Sequence, residues 1–353
     1  MRKRNGLSKS QMARLAQVDL RSVSAYEAGK TIPRDGVLQK IADKTNFPME
    51  FFFGDDLEEP NPETVSFRSM RKMTARQRDM AVSQGTIANL VCKYIEEKFD
   101  LPKADVPDLS YAPTPEAASE TLRQYWKIGN LPIPNLIHLL EQKGVRIFSL
   151  SIDAREVDAF STWQGERPMI YLNTCKTAER SRMDAAHELA HLALHRHAFS
   201  RAKDVEAEAK AFASAFLMPK ASMIALGVRS PSFQQLIKIK KNWKVAVGAL
   251  NYRLHSVDMM SEWHYRTNWI EIAKWGSDKE PNGIPRENSQ ILPKVFSALR
   301  EEGISRSDVA RELRIPRSEL EKLMFGLTFT AIDGGGKGQA PRYGANLKLL
   351  EKN

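Results

Sequence analysis

Cysteine is scarce in this chain of 353 residues, which has only Cys92 and Cys175. Two cysteines so far apart can neither build a disulfide framework nor supply the closely spaced thiolates of a cysteine-rich zinc site. The sequence therefore excludes a small disulfide-stabilised fold. Because disulfides belong to oxidising compartments, the cytoplasm is the expected location.

Long apolar runs are also missing. No run reaches 18 residues, and no apolar segment follows the basic N-terminus, so we expect neither a membrane span nor a secretory signal. Hydrophobic residues make up 42% and charged residues 27%, which excludes wholesale disorder and fibrous structure. The formal net charge of +10 permits nucleic-acid binding without establishing it.

Changes in composition divide the chain into five parts, and the whole predicts a mostly helical α+β protein. The predicted parts are a helical bundle at 1–54, an acidic linker with prolines at 55–66, a mixed helix and strand domain at 67–257, a helical module at 258–332 and a Gly-containing flexible tail at 333–353.

The central domain has the patterns of a small sheet followed by two helices. Alternating apolar residues predict strands over Val145–Ile152, Ala159–Trp163 and Met169–Leu172, the last two joined by a hairpin-like turn. Amphipathic patterns predict helices over Glu116–Trp126, Pro134–Lys143, 178–195 and 204–217.

Four of the seven histidines lie between residues 187 and 197. His187 and His191 are four residues apart, so on a helix both imidazoles reach one metal ion from the same face. Glu188 stands beside them as a general base, which completes the His-Glu-x-x-His pattern of zinc peptidases. The flanking residues are apolar nearly all round, and buried histidines need the partner that a metal supplies.

A catalytic zinc site needs a third protein ligand. His197 has the metzincin spacing, but Leu194 stands where that pattern requires glycine. The next helix offers Glu206 and Glu208. At 100° per residue, Glu206 points roughly 60° from the centre of the apolar face and Glu208 roughly 100°, so Glu206 is favoured while Glu208 stays open.

These motifs together resemble the ImmA/IrrE family of zinc metallopeptidases over roughly residues 67–225. The matching segments are 122–126, 132–135, 140–144, the run Ala-His-Glu-Leu-Ala-His-Leu-Ala-Leu-His at 186–195, and the Glu206, Ala209, Phe212-Ala213 and Leu217-Met218-Pro219 pattern. The resemblance implies a small gluzincin-like fold in which His187, His191 and Glu206 bind Zn²⁺ and Glu188 is the base. It also implies a protein substrate, often a helix-turn-helix repressor that is cut under stress or during mobile-element induction.

Two positions depart from the family pattern. Lys210 stands where the family usually has Asn or Asp, a side chain that can hydrogen-bond a ligand histidine. Losing such a partner weakens metal affinity or activity. Asp184 stands where a hydroxyl or apolar residue is more usual.

Residues 7–30 predict two short helices, the first capped by Ser8 and the second by Asp19. This segment resembles an XRE/Cro-type helix-turn-helix. The resemblance implies that Arg21, Ser22 and Ser24 begin the recognition helix and read base edges. It also implies that five basic side chains face DNA phosphates. They are Arg2, Lys3, Arg4, Lys9 and Lys30.

The first 50 residues carry ten Lys and Arg against five Asp and Glu, which suits a DNA-binding module. Most of the first helix of the XRE pattern is not present, however. An alternative for the N-terminal module is therefore a small bundle for protein contacts.

Residues 303–326 also have a helix-turn-helix shape, with a core predicted from Val309, Ala310, Leu313, Ile315, Leu320 and Leu323. Glu319 and Glu321 suit a DNA groove poorly, so a structural bundle is favoured there.

Two functions are consistent with the sequence. The first is a zinc endopeptidase with Glu188 as the base and an oxyanion stabiliser for which His195 and Tyr171 are candidates. The second is a DNA-binding transcription regulator that uses the metallopeptidase fold as a sensor or partner platform without proteolysis. The presence of both histidines and Glu188 favours catalysis.

Overall fold

A computed structural model describes residues 1–60, 74–150, 159–173, 176–196, 202–276 and 279–324. The predicted tail at 333–353 lies outside the described residues, as do 61–66 of the predicted linker and His197. The domain boundaries drawn from the sequence remain predictions.

The N-terminal module is a bundle of short helices. Its elements are α1 (Lys9–Ala16), α2 (Leu20–Glu27), α3 (Asp35–Thr45) and a 3₁₀ turn (Met49–Phe53). The Ser8 hydroxyl accepts a hydrogen bond from the Gln11 backbone N–H, and the Asp19 carboxylate accepts one from the Ser22 backbone N–H. Both predicted caps are therefore confirmed. The small core contains Met12, Ala13, Ala16, Val23 and Ile41.

Three helices and a three-stranded sheet begin the central domain among the described residues. They are α4 (Ala75–Lys98), α5 (Pro115–Tyr125), α6 (Leu136–Gln142), β1 (Arg146–Leu150), β2 (Ala159–Gln164) and β3 (Arg167–Asn173). The strand order is β1-β3-β2, with β1 parallel and β2 antiparallel to β3. Gly165 has a φ of +59°, so it adopts the left-handed conformation that the tight β2–β3 turn requires.

The sheet has two apolar faces because successive side chains alternate along each strand. One face carries Ile147, Ile170 and Leu172 and joins the core of the central domain. The other carries Phe148, Phe160 and Tyr171 and joins a core shared with α4 and the C-terminal helices. The sheet therefore separates two cores, and only the first of them borders the metal-binding pattern.

Helix α7 (Ala178–Leu194) covers the first face of the sheet at β2 and β3, and helix α8 (Ala202–Leu217) packs against α7 and α5. Nearly every residue of α7 is buried, in agreement with the apolar residues that flank its histidines, and the buried set also includes Glu179, Arg182 and Asp184 of its first half. The domain continues with α9 (Lys220–Ala225), α10 (Phe233–Trp243), α11 (Val247–Ser256) and α12 (Glu262–Trp275). The observed architecture confirms the predicted fold class: a helical bundle at the N-terminus, then a small sheet with a His-Glu-x-x-His helix.

The C-terminal module consists of α13 (Ile291–Glu301), α14 (Arg306–Glu312) and α15 (Arg317–Lys322). Of its predicted core, Leu313 is half-buried and the other five residues are buried. This module packs on the second face of the sheet together with α4. Glu319 forms a buried ion pair with Arg4 of the N-terminal module, with Oε2 and Nε 2.6 Å apart.

Candidate metal centre

Helix α7 presents His187 and His191 one turn apart on one face. Both side chains are buried, and their Nε2 atoms lie 3.1 Å apart. Two nitrogens that each lie about 2.0–2.1 Å from one zinc ion in tetrahedral geometry would be separated by about 3.3 Å. The observed spacing of the two rings therefore fits joint coordination of one ion.

Helix α8 brings a carboxylate to the same point. Oε2 of Glu206 is 3.5 Å from Nε2 of His187, and Oε1 is 3.5 Å from Nε2 of His191. The ligand atoms of the three residues all lie within 4.8 Å of one another. Two imidazoles and a carboxylate are a usual donor set for a zinc site that keeps one position open.

Glu206 and Glu208 occupy different surroundings, although both lie on α8. Oε2 of Glu208 is 2.9 Å from Nε2 of His195, and Glu208 is not part of the group that could hold a metal. His195 in turn has its Nδ1 atom 3.1 Å from Nδ1 of His191. Glu206 therefore contacts His187 and His191 directly, whereas His195 lies between Glu208 and His191.

The pKa of Glu206 reflects its partners. Burial raises the pKa of this carboxyl, but hydrogen bonds and charge from His187 and His191 outweigh burial, so the pKa lies well below its ordinary value. The carboxylate form, which a metal requires, is therefore the form that these neighbours favour.

Glu188 is 1% exposed and lies between α7 and strand β2. Its Oε2 atom accepts a hydrogen bond of 2.7 Å from the hydroxyl of Ser161, and the same hydroxyl lies 3.3 Å from the Glu188 carbonyl oxygen. Sequence reasoning missed Ser161. The available signal was a hydroxyl residue on the inward face of a short apolar strand.

Strand β2 is tied to the end of α7 by its tryptophan. Nε1 of Trp163 donates to the carbonyl oxygen of Leu192 at 3.1 Å, and the guanidinium of Arg196 stacks 3.9 Å from the Trp163 ring. These contacts fix the strand that carries Ser161 relative to the helix that carries Glu188.

Tyr171 is not near the histidines. Its ring stacks on Phe160 in the second core, and its hydroxyl donates to the Gly85 carbonyl oxygen of α4 at 3.4 Å. The hypothesis that Tyr171 stabilises an oxyanion is therefore wrong, because adjacent strand residues point to opposite faces and the odd-numbered positions of β3 face α4. Lys210 is exposed on α8, and Asp184 is buried on α7.

The predicted DNA-reading residues lie on and around α2. Arg21 and Lys30 are exposed, whereas Ser22 and Ser24 are half-buried. The Ser22 hydroxyl donates to Asp19 at 3.0 Å, and Nζ of Lys9 lies 3.5 Å from the Ser24 hydroxyl. The two serines therefore take part in contacts within the module, and the two cations face outward.

Four of the five side chains predicted to contact phosphate form ion pairs within the protein, those of Lys3 and Lys9 at the surface with Asp79 and Glu27. Arg4 is buried against Glu319, and Arg2 pairs with Glu27 and donates to the Leu7 carbonyl oxygen. The prediction that Arg4 faces phosphate is wrong, because its partner lies 315 residues away and no local pattern reveals it. Lys3, Lys9 and Lys30 remain exposed.

Comparison with known protein families gives two matches. Residues 140–255 match a peptidase family described as the IrrE N-terminal-like domain, and residues 1–52 match a helix-turn-helix family. The resemblance drawn from the sequence is thereby confirmed, and the helix-turn-helix match supports DNA binding. A comparison with curated proteins gave no match. Within the part of the chain that the structure describes, no helix has both the length and the apolar character needed to cross a membrane.

Proposed function

We propose, from the pairing of a helix-turn-helix domain with an IrrE N-terminal-like domain, that this chain is a zinc-dependent endopeptidase. The observation that carries the proposal is the convergence of His187, His191 and Glu206 on one helix pair that also holds the buried Glu188. Structural zinc sites use four protein ligands, whereas three ligands with an open position are typical of catalytic sites.

A Zn²⁺ ion held by these residues would supply a Lewis acid that activates water and polarises a peptide carbonyl. Glu188 takes the proton from the attacking water and later donates it to the leaving amine of the cleaved peptide. Ser161 donates to Oε2 of Glu188, which holds the carboxylate in one orientation through both transfers. Burial of Glu188 beside β2 keeps bulk water from competing for that carboxylate.

We propose that the substrate is a protein partner, a helix-turn-helix transcriptional repressor, and that its cleavage changes transcription under stress or mobile-element induction. The family resemblance supports this substrate class. The N-terminal module supports it further, because exposed Arg21 and Lys30 beside α2 would hold the peptidase on the DNA where a repressor is bound.

The decisive experiment compares the wild type with Glu188→Gln, a substitution that keeps the size of the side chain and removes its ability to accept a proton. We expect the variant to keep zinc and to bind the partner, while cleavage of the partner falls below detection. Cleavage at the wild-type rate would contradict the mechanism.

A second experiment tests the metal ligands by elemental analysis of His187→Ala, Glu206→Ala and Glu208→Ala. We expect zinc to be lost in the first two variants and retained in the third.

A second function has support from the same residues. A DNA-binding regulator without proteolysis would use the exposed cations around α2 and treat the histidine site as a sensor. In that case, Arg21→Ala would weaken duplex DNA binding and Glu188→Gln would leave regulation unchanged. Cleavage of the partner by the wild type, lost in Glu188→Gln, would exclude this alternative.

A further inference from the structure

The geometry points to His195 and Glu208 as a pair that positions the ligand His191, through hydrogen bonds that run from the carboxylate to His195 and on to the far side of the His191 ring. The inference rests on the proposed metal site and deepens it. His195 and Glu208 are positioning residues here, since neither belongs to the group that could hold the metal and both act through His191.

The three side chains form a continuous series. Nδ1 of His191 lies 3.1 Å from Nδ1 of His195, and Nε2 of His195 lies 2.9 Å from Oε2 of Glu208. The His195 side chain is 8% exposed and that of Glu208 is 49% exposed, so the series runs from the buried site to the surface. His195 sits at the C-terminal end of α7, one turn beyond His191.

The position of each proton follows from the neighbours. His191 faces His187 and Glu206 with Nε2, so binding a metal there requires its proton on Nδ1. Nδ1 of His195 must then accept that hydrogen bond, which leaves the proton of His195 on Nε2. This atom faces a carboxylate oxygen, an acceptor. The arrangement fixes one tautomer for each ring.

Such a series makes a ligand histidine more effective in two ways. A hydrogen bond from the distal ring nitrogen fixes the direction of the imidazole, and a carboxylate at its end raises the basicity of the ligand nitrogen. In this chain the position expected to supply a buttressing Asn or Asp holds Lys210, whose side chain is exposed. His195 and Glu208 provide the same kind of support from a different pair of positions.

The two glutamates of α8 thereby acquire separate roles. Glu206 is within 3.5 Å of both histidine ring nitrogens that face the site, and Glu208 is within 2.9 Å of His195. They are two residues apart on the helix, so the directions in which they point differ by about 160° around its axis. Helix α8 packs beside α7, so it contributes Glu206 to the histidines of the site and Glu208 to His195.

The test is zinc affinity of the full-length protein, measured by competition with a zinc-binding fluorescent chelator. We expect His195→Ala to weaken zinc binding by about 10- to 100-fold, the range observed when such supporting residues are lost. Glu208→Ala has a smaller effect, because solvent can replace a half-exposed carboxylate. Glu208→Gln stays near the wild type, since its amide oxygen still accepts from His195. Asp204→Ala, which removes an exposed acid from the same helix, is the matched control and leaves affinity unchanged.

A double variant tests whether the two residues act in series. If Glu208 works only through His195, the His195→Ala/Glu208→Ala protein binds zinc as tightly as His195→Ala alone. Effects that multiply would overturn the series. A second measurement needs no variant: ¹⁵N NMR of the zinc-loaded wild type reports the ring tautomers, and we expect the proton of His195 on Nε2. A proton on Nδ1 would contradict the proposal.

The results also separate this inference from the proposed function. A wild type that binds zinc and cleaves its partner, together with a His195→Ala protein of unchanged zinc affinity, would overturn the positioning role alone. A wild type that binds no zinc would overturn both.

Discussion

The Ser161 hydroxyl lies where strand β2 meets helix α7, and its hydrogen bond to Glu188 sets the direction of a buried carboxylate. Hydrogen bonds to charged groups contribute about 1.5–3 kcal/mol, roughly twice as much as bonds between neutral groups. Orientation of Glu188 therefore depends on a residue from another element, well separated from it in the sequence.

We expect Ser161→Ala to lower kcat for partner cleavage by about tenfold or more, corresponding to the loss of one hydrogen bond to a carboxylate. KM and zinc content should change little, because the Ser161 hydroxyl hydrogen-bonds to Glu188, which is not one of the three candidate metal ligands. Steady-state kinetics and elemental analysis measure these quantities. Ser119→Ala, which removes another buried hydroxyl from the same domain, is the control and keeps kcat. An unchanged kcat in Ser161→Ala would contradict the role of Ser161.

Sequence reasoning is most direct where the relation between residues is local, and the apolar face of α8 could only favour Glu206 over Glu208. His187, Glu188 and His191 lie within five positions of one helix, so helical geometry alone brings them together. The rotation of α8 against α7, which separates Glu206 from Glu208, depends on how two helices pack. Ser161 and the inward position of Arg4 depend on contacts between distant parts of the chain. No periodic pattern encodes such contacts.

Residues 279–290, the described stretch before α13, contain no helix or strand, and they cross back over the start of α7. Glu280 pairs with Lys240 of α10, and Glu287 pairs with Arg182 of α7. The backbone N–H of Ile284 donates to Glu179 of α7 at 3.0 Å. Ion pairs and a backbone hydrogen bond therefore hold this segment on α7, the helix of the candidate ligands His187 and His191.

Lys240 of α10 connects the segment to α7, because it forms ion pairs with Glu280 and with Glu179. Its side chain is 0% exposed, and its Nζ atom lies 2.9 Å from Glu179 and 3.0 Å from Glu280. We expect Lys240→Ala to lower the free energy of unfolding by about 3–5 kcal/mol, because Glu179 is left as an uncompensated buried charge.

Urea denaturation measures this loss of stability. The control is Lys274→Ala, which breaks an exposed ion pair with Glu271 and should change stability by about 0.5 kcal/mol or less. A Lys240→Ala protein as stable as the control variant would show that Glu179 and Glu280 do not depend on this cation.

The helices and strands themselves were predictable because their signals are local. Apolar periodicity and capping residues predicted α1, α2, α5–α8 and the three strands within a few residues of their observed ends. The crossing segment has neither signal. Its position is set by buried charges on α7 and α10, which makes it a consequence of the assembled fold.

At the scale of the whole molecule, the first and last described modules meet. The Arg4–Glu319 pair is buried on both sides, and Nη1 of Arg314 donates to the Phe53 carbonyl oxygen at 3.2 Å. Phe47 from the N-terminal module lies in the same core as Leu320 of α15. A cleft of about 750 Å³ runs between these modules and α4. The helix-turn-helix domain is therefore anchored to the C-terminal module.

We expect Glu319→Ala to loosen the N-terminal module, because Arg4 loses the carboxylate that compensates its buried charge. Hydrogen exchange of the backbone amides of α1 and α3, followed by mass spectrometry, should become faster. Glu321→Ala removes an acid from the same helix whose partner, Arg317, lies on the surface, and should leave this exchange unchanged. Equal exchange in the two variants would contradict the anchoring role.

Strand β2 limits which insertions and deletions the gene can accept, because its two faces belong to different cores. Ser161 faces the histidine helix, while the neighbouring Phe160 faces the core shared with α4 and the C-terminal helices. Loss or gain of one codon within this strand would exchange the two faces, so a hydroxyl would enter an aromatic core and a phenyl ring would displace the Glu188 contact. A substitution on one face of this six-residue strand changes one core only. An insertion or deletion changes both cores at once, so the length of the strand is constrained by both.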